Sequence, residues 1–129
     1  MGNDDKDSRG AAGIDERGLR PAAAYSIRPA GGHVLRLEGE LDLASAPELR
    51  KRFDEADGSL VLDFTRVTFI DSAVLKELLR ARAELADRGV RLVLAGVPAP
   101  VRRLLDLTRT SELFEDAPDV EAALTRLNG

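Results

Sequence analysis

Apolar residues recur with alternating strand and helix periods from Tyr25 to the end of the 129-residue chain. Residues 33–41 alternate apolar with polar side chains, which is typical of a strand with one buried face. Residues 60–64 and 90–95 are short and almost continuously apolar, which indicates strands covered on both faces. A segment with helical spacing follows each of these strands. Because parallel neighbours need a crossover connection, usually a helix, this order predicts a mainly parallel sheet.

The first two helices have recognisable starts and stops. Ser45 and Glu48 have the spacing of a capping box, which predicts the start of the first helix. The second helix is predicted to begin at Asp71 and Ser72, and Gly89 is predicted to follow its last turn.

The remaining segments give weaker signals. A first, edge strand is expected before the glycine turn at 31–32, and residues 65–70 are expected to be a connection. A third helix is predicted over 98–110, a short last strand at 113–114, and a terminal helix capped by Asp119.

We therefore expect one α/β domain over residues 25–129. Its sheet should be mixed but mainly parallel, with four to five strands and with the helices mostly on one side. Residues 1–24 combine glycine, alanine and charged residues without either period, so they are expected to form a flexible N-terminal tail.

Composition narrows the function further. The chain is 43% hydrophobic and 33% charged, which is typical of a soluble globular protein. Its net charge of -4 argues against a general nucleic-acid binder, which needs a basic surface. The absence of cysteine excludes disulfides and thiol chemistry. No apolar run has the length of a signal peptide core or membrane span, so we expect a cytoplasmic protein that does not bind a membrane.

Three sequence motifs lie in an order and at intervals that unrelated α/β proteins have no reason to share. They are Gly39-Glu40-Leu41-Asp42, the segment 61–64 (VLDF) running on to 68–72 (TFIDS), and the segment 89–94 (GVRLVL) followed by 100–105 (PVRRLL). Together they resemble the STAS domains of bacterial anti-sigma factor antagonists over roughly residues 25–127.

This resemblance implies a STAS-like fold and a protein that binds a partner rather than an enzyme. In that family the serine directly after the aspartate, here Ser72, receives phosphate from an anti-sigma factor that is also a serine kinase. The protein is then expected to regulate transcription by partner switching, as a monomer or weak homodimer with no cofactor, metal or catalytic residue. The residues implied to form the partner-binding face are Gly39, Glu40, Leu41, Asp42, Asp71, Ser72, Ala73, Val74, Leu75 and Lys76.

The sequence departs from the family pattern just after Ser72. The usual second hydroxyl and the following small residues are replaced by Ala73, Val74 and Lys76. We expect Val74 and Lys76 to occupy space that glycine would leave for a partner's backbone, and so to restrict which kinase can bind. These departures favour an alternative, a STAS subunit of a lipid-transport ATPase or stress-signalling complex that is never phosphorylated. Arg109 also replaces a glycine common after the third helix.

Other interpretations follow from the residues alone. Ser72 could be an ordinary helix N-cap, since serine and aspartate are both favoured there. The carboxylates of Asp42, Asp63 and Asp71 could hold a hard cation, although each also has a turn or capping role available.

Three other classes of protein fit the sequence poorly. A receiver domain would need an acidic pair after the first strand and a late lysine, and neither is present. A nucleotide hydrolase would need a glycine-rich phosphate loop, which is also missing. A Ser-His-Asp hydrolase would have to use His33, the only histidine, which lies beside a glycine turn.

Overall fold

The computed structural model of the protein describes residues 25–128, so the tail predicted for residues 1–24 lies outside the described residues. The strands are β1 (Tyr25–Pro29), β2 (Val34–Leu41), β3 (Leu60–Ile70), β4 (Leu92–Ala95) and β5 (Glu115–Ala117). The helices are α1 (Ala46–Asp54), α2 (Ser72–Asp87), α3 (Ala99–Leu107) and α4 (Val120–Asn128), with a short 3₁₀ helix at Ser111–Leu113.

The described strands form one sheet in the order β1-β2-β3-β4-β5. The β1 strand runs antiparallel to β2, whereas each of the other neighbouring pairs is parallel. The predicted mixed, mainly parallel sheet is therefore confirmed. As the helical crossovers require, the parallel strands end at the same edge of the sheet, and α1, α2 and α3 start near that edge.

The helices divide unequally between the two sheet faces. Buried residues of α1, α2 and α3, such as Phe53, Leu78 and Leu105, share one core cluster with β-strand residues such as Leu62. A smaller cluster on the other face joins Ala123 of α4 to β2, β3 and β4. The prediction that the helices lie mostly on one side is confirmed for the described residues. None of these helices is long and apolar enough to cross a membrane.

The third strand is longer than predicted. Residues 65–70 were expected to be a connection, but β3 continues through them for 11 residues in all. Val67 and Ile70 are buried in the main cluster, and β3 pairs with β2 as far as Leu41 opposite Ile70. Strand β2 satisfies the backbone hydrogen-bonding groups of residues 65–70. This pairing cannot be inferred from the hydrophobic pattern alone.

The capping box predicted from Ser45 and Glu48 is wrong. Ser45 precedes α1, but its side chain makes no capping hydrogen bond to the helix. Its hydroxyl instead accepts from the backbone N–H of Asp42 and donates to the Asp42 carbonyl, both at 2.9 Å. Glu48 accepts a hydrogen bond from the Tyr25 hydroxyl at 3.1 Å. Ser45 thus stabilises the turn after β2, and Glu48 stabilises the edge strand β1.

The last strand was predicted two residues too early. Residues 111–113 form the 3₁₀ helix, Phe114 is buried, and β5 begins at Glu115. Strand β5 is a polar edge strand whose Glu115 and Asp116 side chains pair with arginines, so it lacks the apolar pattern by which a strand is recognised. The terminal helix begins as predicted, because the Asp119 carboxylate accepts from the Ala122 N–H at 2.8 Å.

Helices α2 and α3 end in the same hydrogen-bonded motif. After α2, Gly89 has φ +76° and the Val90 N–H donates to the Leu85 carbonyl at 3.0 Å, which confirms the predicted glycine stop. After α3, Arg109 has φ +61° and the Thr110 N–H donates to the Leu105 carbonyl at 2.8 Å. Arg109 therefore holds a left-handed conformation that favours glycine.

Candidate functional site

Two of the sequence motifs meet at the sheet edge where β2 and β3 end. The Asp71 N–H donates to the Leu41 carbonyl at 3.3 Å. The Leu43 N–H donates to Oδ2 of Asp71 at 3.0 Å. These two bonds hold the turn after β2 against the start of α2, so the Gly39-Asp42 motif and Ser72 belong to one surface.

Asp71, not Ser72, is the N-cap of α2. Its backbone is extended, and its Oδ1 accepts from the Val74 N–H at 3.1 Å. Ser72 is the first residue of the 16-residue helix and is exposed. Within the described part of the chain its hydroxyl makes no hydrogen bond. The ordinary N-cap interpretation of Ser72 is therefore wrong, and its hydroxyl has no structural role at this helix start.

The predicted partner-binding residues divide by burial. Glu40, Ser72 and Lys76 are exposed, and Gly39, Asp42, Asp71 and Ala73 are half-buried. By contrast, the side chains of Leu41, Val74 and Leu75 belong to the main core cluster. These three side chains pack into the core of the domain. The expectation that Val74 occupies partner space is therefore wrong, because Val74 points inward from α2.

Gly39 makes strand β2 irregular just before its C-terminal end. It has φ +84°, and the pairing of β2 with β3 shifts register on either side of it. After this irregularity Glu40 lies opposite Phe69 of β3, and both side chains are exposed. An irregular strand with a glycine in the left-handed region thus directs Glu40 outward at the site.

Two exposed apolar side chains at this edge were missed by sequence reasoning. Leu43 is 72% exposed and Phe69 is 49% exposed, and both lie within three residues of Asp42 or Ser72 in sequence. Regular strand alternation would put Phe69 on the same face as buried Val67, and the pairing of β3 with β2 is irregular here, so the sequence pattern does not reveal its exposure. Leu43 has no signal in the sequence either, because its exposure depends on the hydrogen bond to Asp71.

Carboxylates surround these apolar side chains. Glu40 is exposed, and Asp42 is half-buried with its Oδ1 accepting from the Ala44 N–H at 3.0 Å. Burial, together with the nearby carboxylates of Glu48 and Asp42, raises the pKa of Tyr25. The edge therefore carries carboxylates together with exposed apolar side chains, and the exposed Ser72 hydroxyl lies on it.

The structure separates Asp63 from this surface. Asp63 is buried, and its carboxylate accepts from the Thr65 N–H at 3.0 Å, from the Thr65 hydroxyl at 2.6 Å and from Arg36 at 3.4 Å. Among the described residues no three acidic or histidine side chains form a candidate metal site. The carboxylates considered for a cation each bind backbone N–H groups instead.

His33 lies at the opposite edge of the sheet. It precedes β2, whereas Ser72 follows the pairing of Leu41 with Ile70 at the other end of that strand. Eight residues of strand separate the two ends, which corresponds to roughly 25 Å. His33 therefore cannot act as a base for the Ser72 hydroxyl.

A mixed, mainly parallel sheet with helices on both faces, and a serine exposed where β2 and β3 end, defines a small α/β domain. A family model described as "Mlab, STAS domain" matches residues 27–115, more than half of the chain. The chain belongs to the STAS domain family.

Among STAS proteins, the chain is similar to anti-sigma factor antagonists. The anti-sigma F factor antagonist of Paenibacillus polymyxa is 29% identical over 99 residues, covering 73% of this chain and 85% of that protein. The crystal structure of an anti-sigma factor antagonist from Mycobacterium paratuberculosis is 26% identical, with a TM-score of 0.68 over 81% of this chain and 95% of that one. The Bacillus cell fate determinant SpoIIAA in its phosphorylated form has the same fold, with 22% identity and a TM-score of 0.58 over 80% of this chain and 98% of that one.

Proposed function

We propose that this protein is a cytoplasmic anti-sigma factor antagonist that binds an anti-sigma factor with serine kinase activity. Phosphorylation of Ser72 by that kinase releases the partner and so regulates transcription by partner switching. Membership of the STAS family and similarity to named anti-sigma factor antagonists support the binding role. The phosphorylated form of SpoIIAA, a protein with the same fold, supports phosphorylation as the switch.

The proposal rests mainly on the different roles of Asp71 and Ser72. Asp71 caps α2, so the adjacent Ser72 hydroxyl is exposed and can react without loss of a structural hydrogen bond. A kinase needs such an accessible hydroxyl. Because the acceptor is on a helix fixed by its own cap, phosphorylation does not require the domain to unfold.

A phosphate on Ser72 would alter the partner surface directly. It adds a charge of about -1.5 to -2 near neutral pH. Leu43 and Phe69 offer apolar contacts beside Ser72, and a phosphate there would place a solvated charge against the partner's apolar surface. Glu40 and Asp42 already place negative charge at the site, and the phosphate adds to it, which repels acidic groups of a partner.

The test uses the purified protein, its anti-sigma factor and ATP. We expect mass spectrometry to find phosphate on Ser72 and titration calorimetry to show weaker binding after phosphorylation. Ser72→Ala should still bind but should not be phosphorylated. Thr68→Val removes another exposed hydroxyl of the same region and should leave both binding and phosphorylation intact. Phosphate on another residue, or equal affinity before and after phosphorylation of Ser72, would overturn the switch.

A second candidate is a STAS subunit that binds its partner permanently, in a lipid-transport ATPase or a stress-signalling complex. Ala73 and Lys76, in place of the family's hydroxyl and small residue, favour this candidate. It predicts stable binding that ATP does not change. Binding by Ser72→Asp as tight as that of the unchanged protein, with Ser72 left unlabelled by the kinase, would select it over partner switching.

A further inference from the structure

We propose that Lys76 forms an ion pair with a phosphate on Ser72, within helix α2. In the phosphorylated protein the charge of the phosphate is then partly neutralised by the lysine. The proposal rests on Ser72 as the phosphorylated residue. It concerns a residue by which this chain departs from the pattern of its family, and it assigns that residue a role in the modified state.

The helix places both side chains on its outer face. Val74 and Leu78 are fully buried and define the inner face of α2. Ser72 and Lys76 are both exposed. Residues four apart in a helix lie about 40° apart around the axis and about 6 Å apart along it, so their side chains are neighbours. The flexible lysine side chain can therefore reach a phosphate on the serine.

The ammonium group of Lys76 is available for this role. Within residues 25–128 it has no ion pair. The next cation along the helix differs: Arg80 is held by Glu77 at 3.0 Å and by Glu84 at 2.6 Å. An anion placed four residues before a cation is the favourable order on a helix, and a phosphate on Ser72 would stand in the first turn of α2, at the positive end of the helix dipole.

Other charges around Ser72 act in the opposite direction. Glu40 and Asp42 follow from β2, and Asp71 is the residue directly before the serine. Both oxygens of Asp71 already accept backbone hydrogen bonds, from Leu43 and Val74, which leaves its negative charge in place. A phosphate on Ser72 would therefore enter an acidic surface in which Lys76 is the cation on the same helix face.

The pKa of the phosphate tests this pairing without a kinase or partner. Protein with phosphate on Ser72 is made by genetic incorporation of phosphoserine, and its second pKa is measured by phosphorus NMR. A neighbouring cation favours the dianion, so Lys76→Gln should raise this pKa by about 0.15 to 0.4 unit, as expected for a helical ion pair. Lys76→Arg keeps the charge and should leave the pKa low.

Lys51→Gln is the matched control. Lys51 is an exposed lysine in the last turn of α1, at the far end of that helix from the site, so its removal changes the net charge equally. It should not shift the phosphate pKa. Equal shifts for Lys76→Gln and Lys51→Gln, or no shift for either, would overturn the ion pair. If the phosphoserine protein shows the ion pair but no kinase phosphorylates Ser72, only the proposed function is overturned.

Discussion

The backbone N–H of Leu43 donates a hydrogen bond to the Asp71 carboxylate at 3.0 Å, across 28 positions of the sequence. The other carboxylate oxygen of Asp71 caps α2 through the Val74 N–H. One side chain thus fixes both the start of the helix that carries Ser72 and the turn that presents Leu43. The shape of the proposed partner surface depends on this carboxylate.

Replacing Asp71 should therefore destabilise the domain more than loss of an ordinary cap. Asp71→Ala removes two hydrogen bonds, and we expect a loss of about 1.5 to 3 kcal/mol in the free energy of unfolding, measured in urea. Asp119→Ala is the matched control, because Asp119 caps α4 through Ala122 alone. It should cost about 1 kcal/mol. A smaller loss for Asp71→Ala than for Asp119→Ala would contradict the double role.

The neighbouring serine should behave in the opposite way. Ser72 is exposed and is not the cap, so Ser72→Ala should change the free energy of unfolding by less than about 0.5 kcal/mol. The same urea titration measures it. A loss near 1 kcal/mol would mean that the hydroxyl caps the helix after all.

Leu43 and Phe69 should carry much of the affinity for the anti-sigma factor. Burying an apolar side chain is worth about 1.5 to 3 kcal/mol, so Leu43→Ser and Phe69→Ser should each weaken binding about tenfold or more, as measured by calorimetry. Leu107→Ser is the control, because Leu107 on α3 is 73% exposed, nearly the same as Leu43 at 72%. If Leu107→Ser weakens binding as much, the effect is not specific to this edge.

The helix end at Arg109 should be improved by glycine. Arg109 has φ +61°, in the left-handed region, and Arg109→Gly should relieve that conformation and stabilise the domain by about 0.5 to 1 kcal/mol. Thermal unfolding measures the change. The reciprocal variant Gly89→Ala, at the equivalent position after α2 with φ +76°, should lower the stability by a similar amount. No gain from Arg109→Gly would show that arginine is held there without strain.

The pair of Arg91 and Glu115 should make stability depend on acid pH. Hydrogen bonds at 2.5 and 2.9 Å from Arg91 lower the pKa of Glu115. A carboxyl group with a lowered folded-state pKa stabilises the fold above its ordinary pKa of about 4.3, and this contribution is lost as the pH falls through the lowered value. Arg91→Gln should therefore lower the melting temperature slightly at neutral pH, where Glu115 is charged.

The difference between Arg91→Gln and the unchanged protein should then disappear at the acid end of a pH series of melting curves. Arg103→Gln removes an exposed arginine that has no ion pair in the described part of the chain, and its effect should not follow this pH dependence. A difference for Arg91→Gln that persists unchanged in acid would assign the effect to packing rather than to the charge of Glu115.

Much of the architecture was predictable because it depends on the local spacing of apolar residues. The apolar runs of β3 and β4 and the Gly89 helix stop lie in single segments of the sequence, and each was found there. Val74 was assigned to the surface only by comparison with a family pattern. Its helical spacing with Leu78 and Leu85 indicates instead that it lies on the buried face of α2.

The features that were missed depend on contacts between distant segments. Ser45 has capping-box spacing, yet its hydroxyl bonds to Asp42, which the pattern of residue types does not distinguish from a cap. The exposure of Leu43 follows from its bond to Asp71, and β5 is a strand because β4 lies beside it. Such hydrogen bonds between segments are visible only once the chain has folded.

The burial of Val74 beside the exposure of Lys76 has a consequence for how such proteins diverge. On this turn of α2 the core requires Val74 and Leu75, while the next residue, Lys76, is exposed to solvent. Under the proposed function, a gene duplicate can therefore alter its partner surface by substitution at Lys76 while retaining the core, since surface substitutions rarely alter stability by more than about 0.5 kcal/mol. Related signalling pathways in one cell can in this way remain insulated from each other while using nearly identical scaffolds.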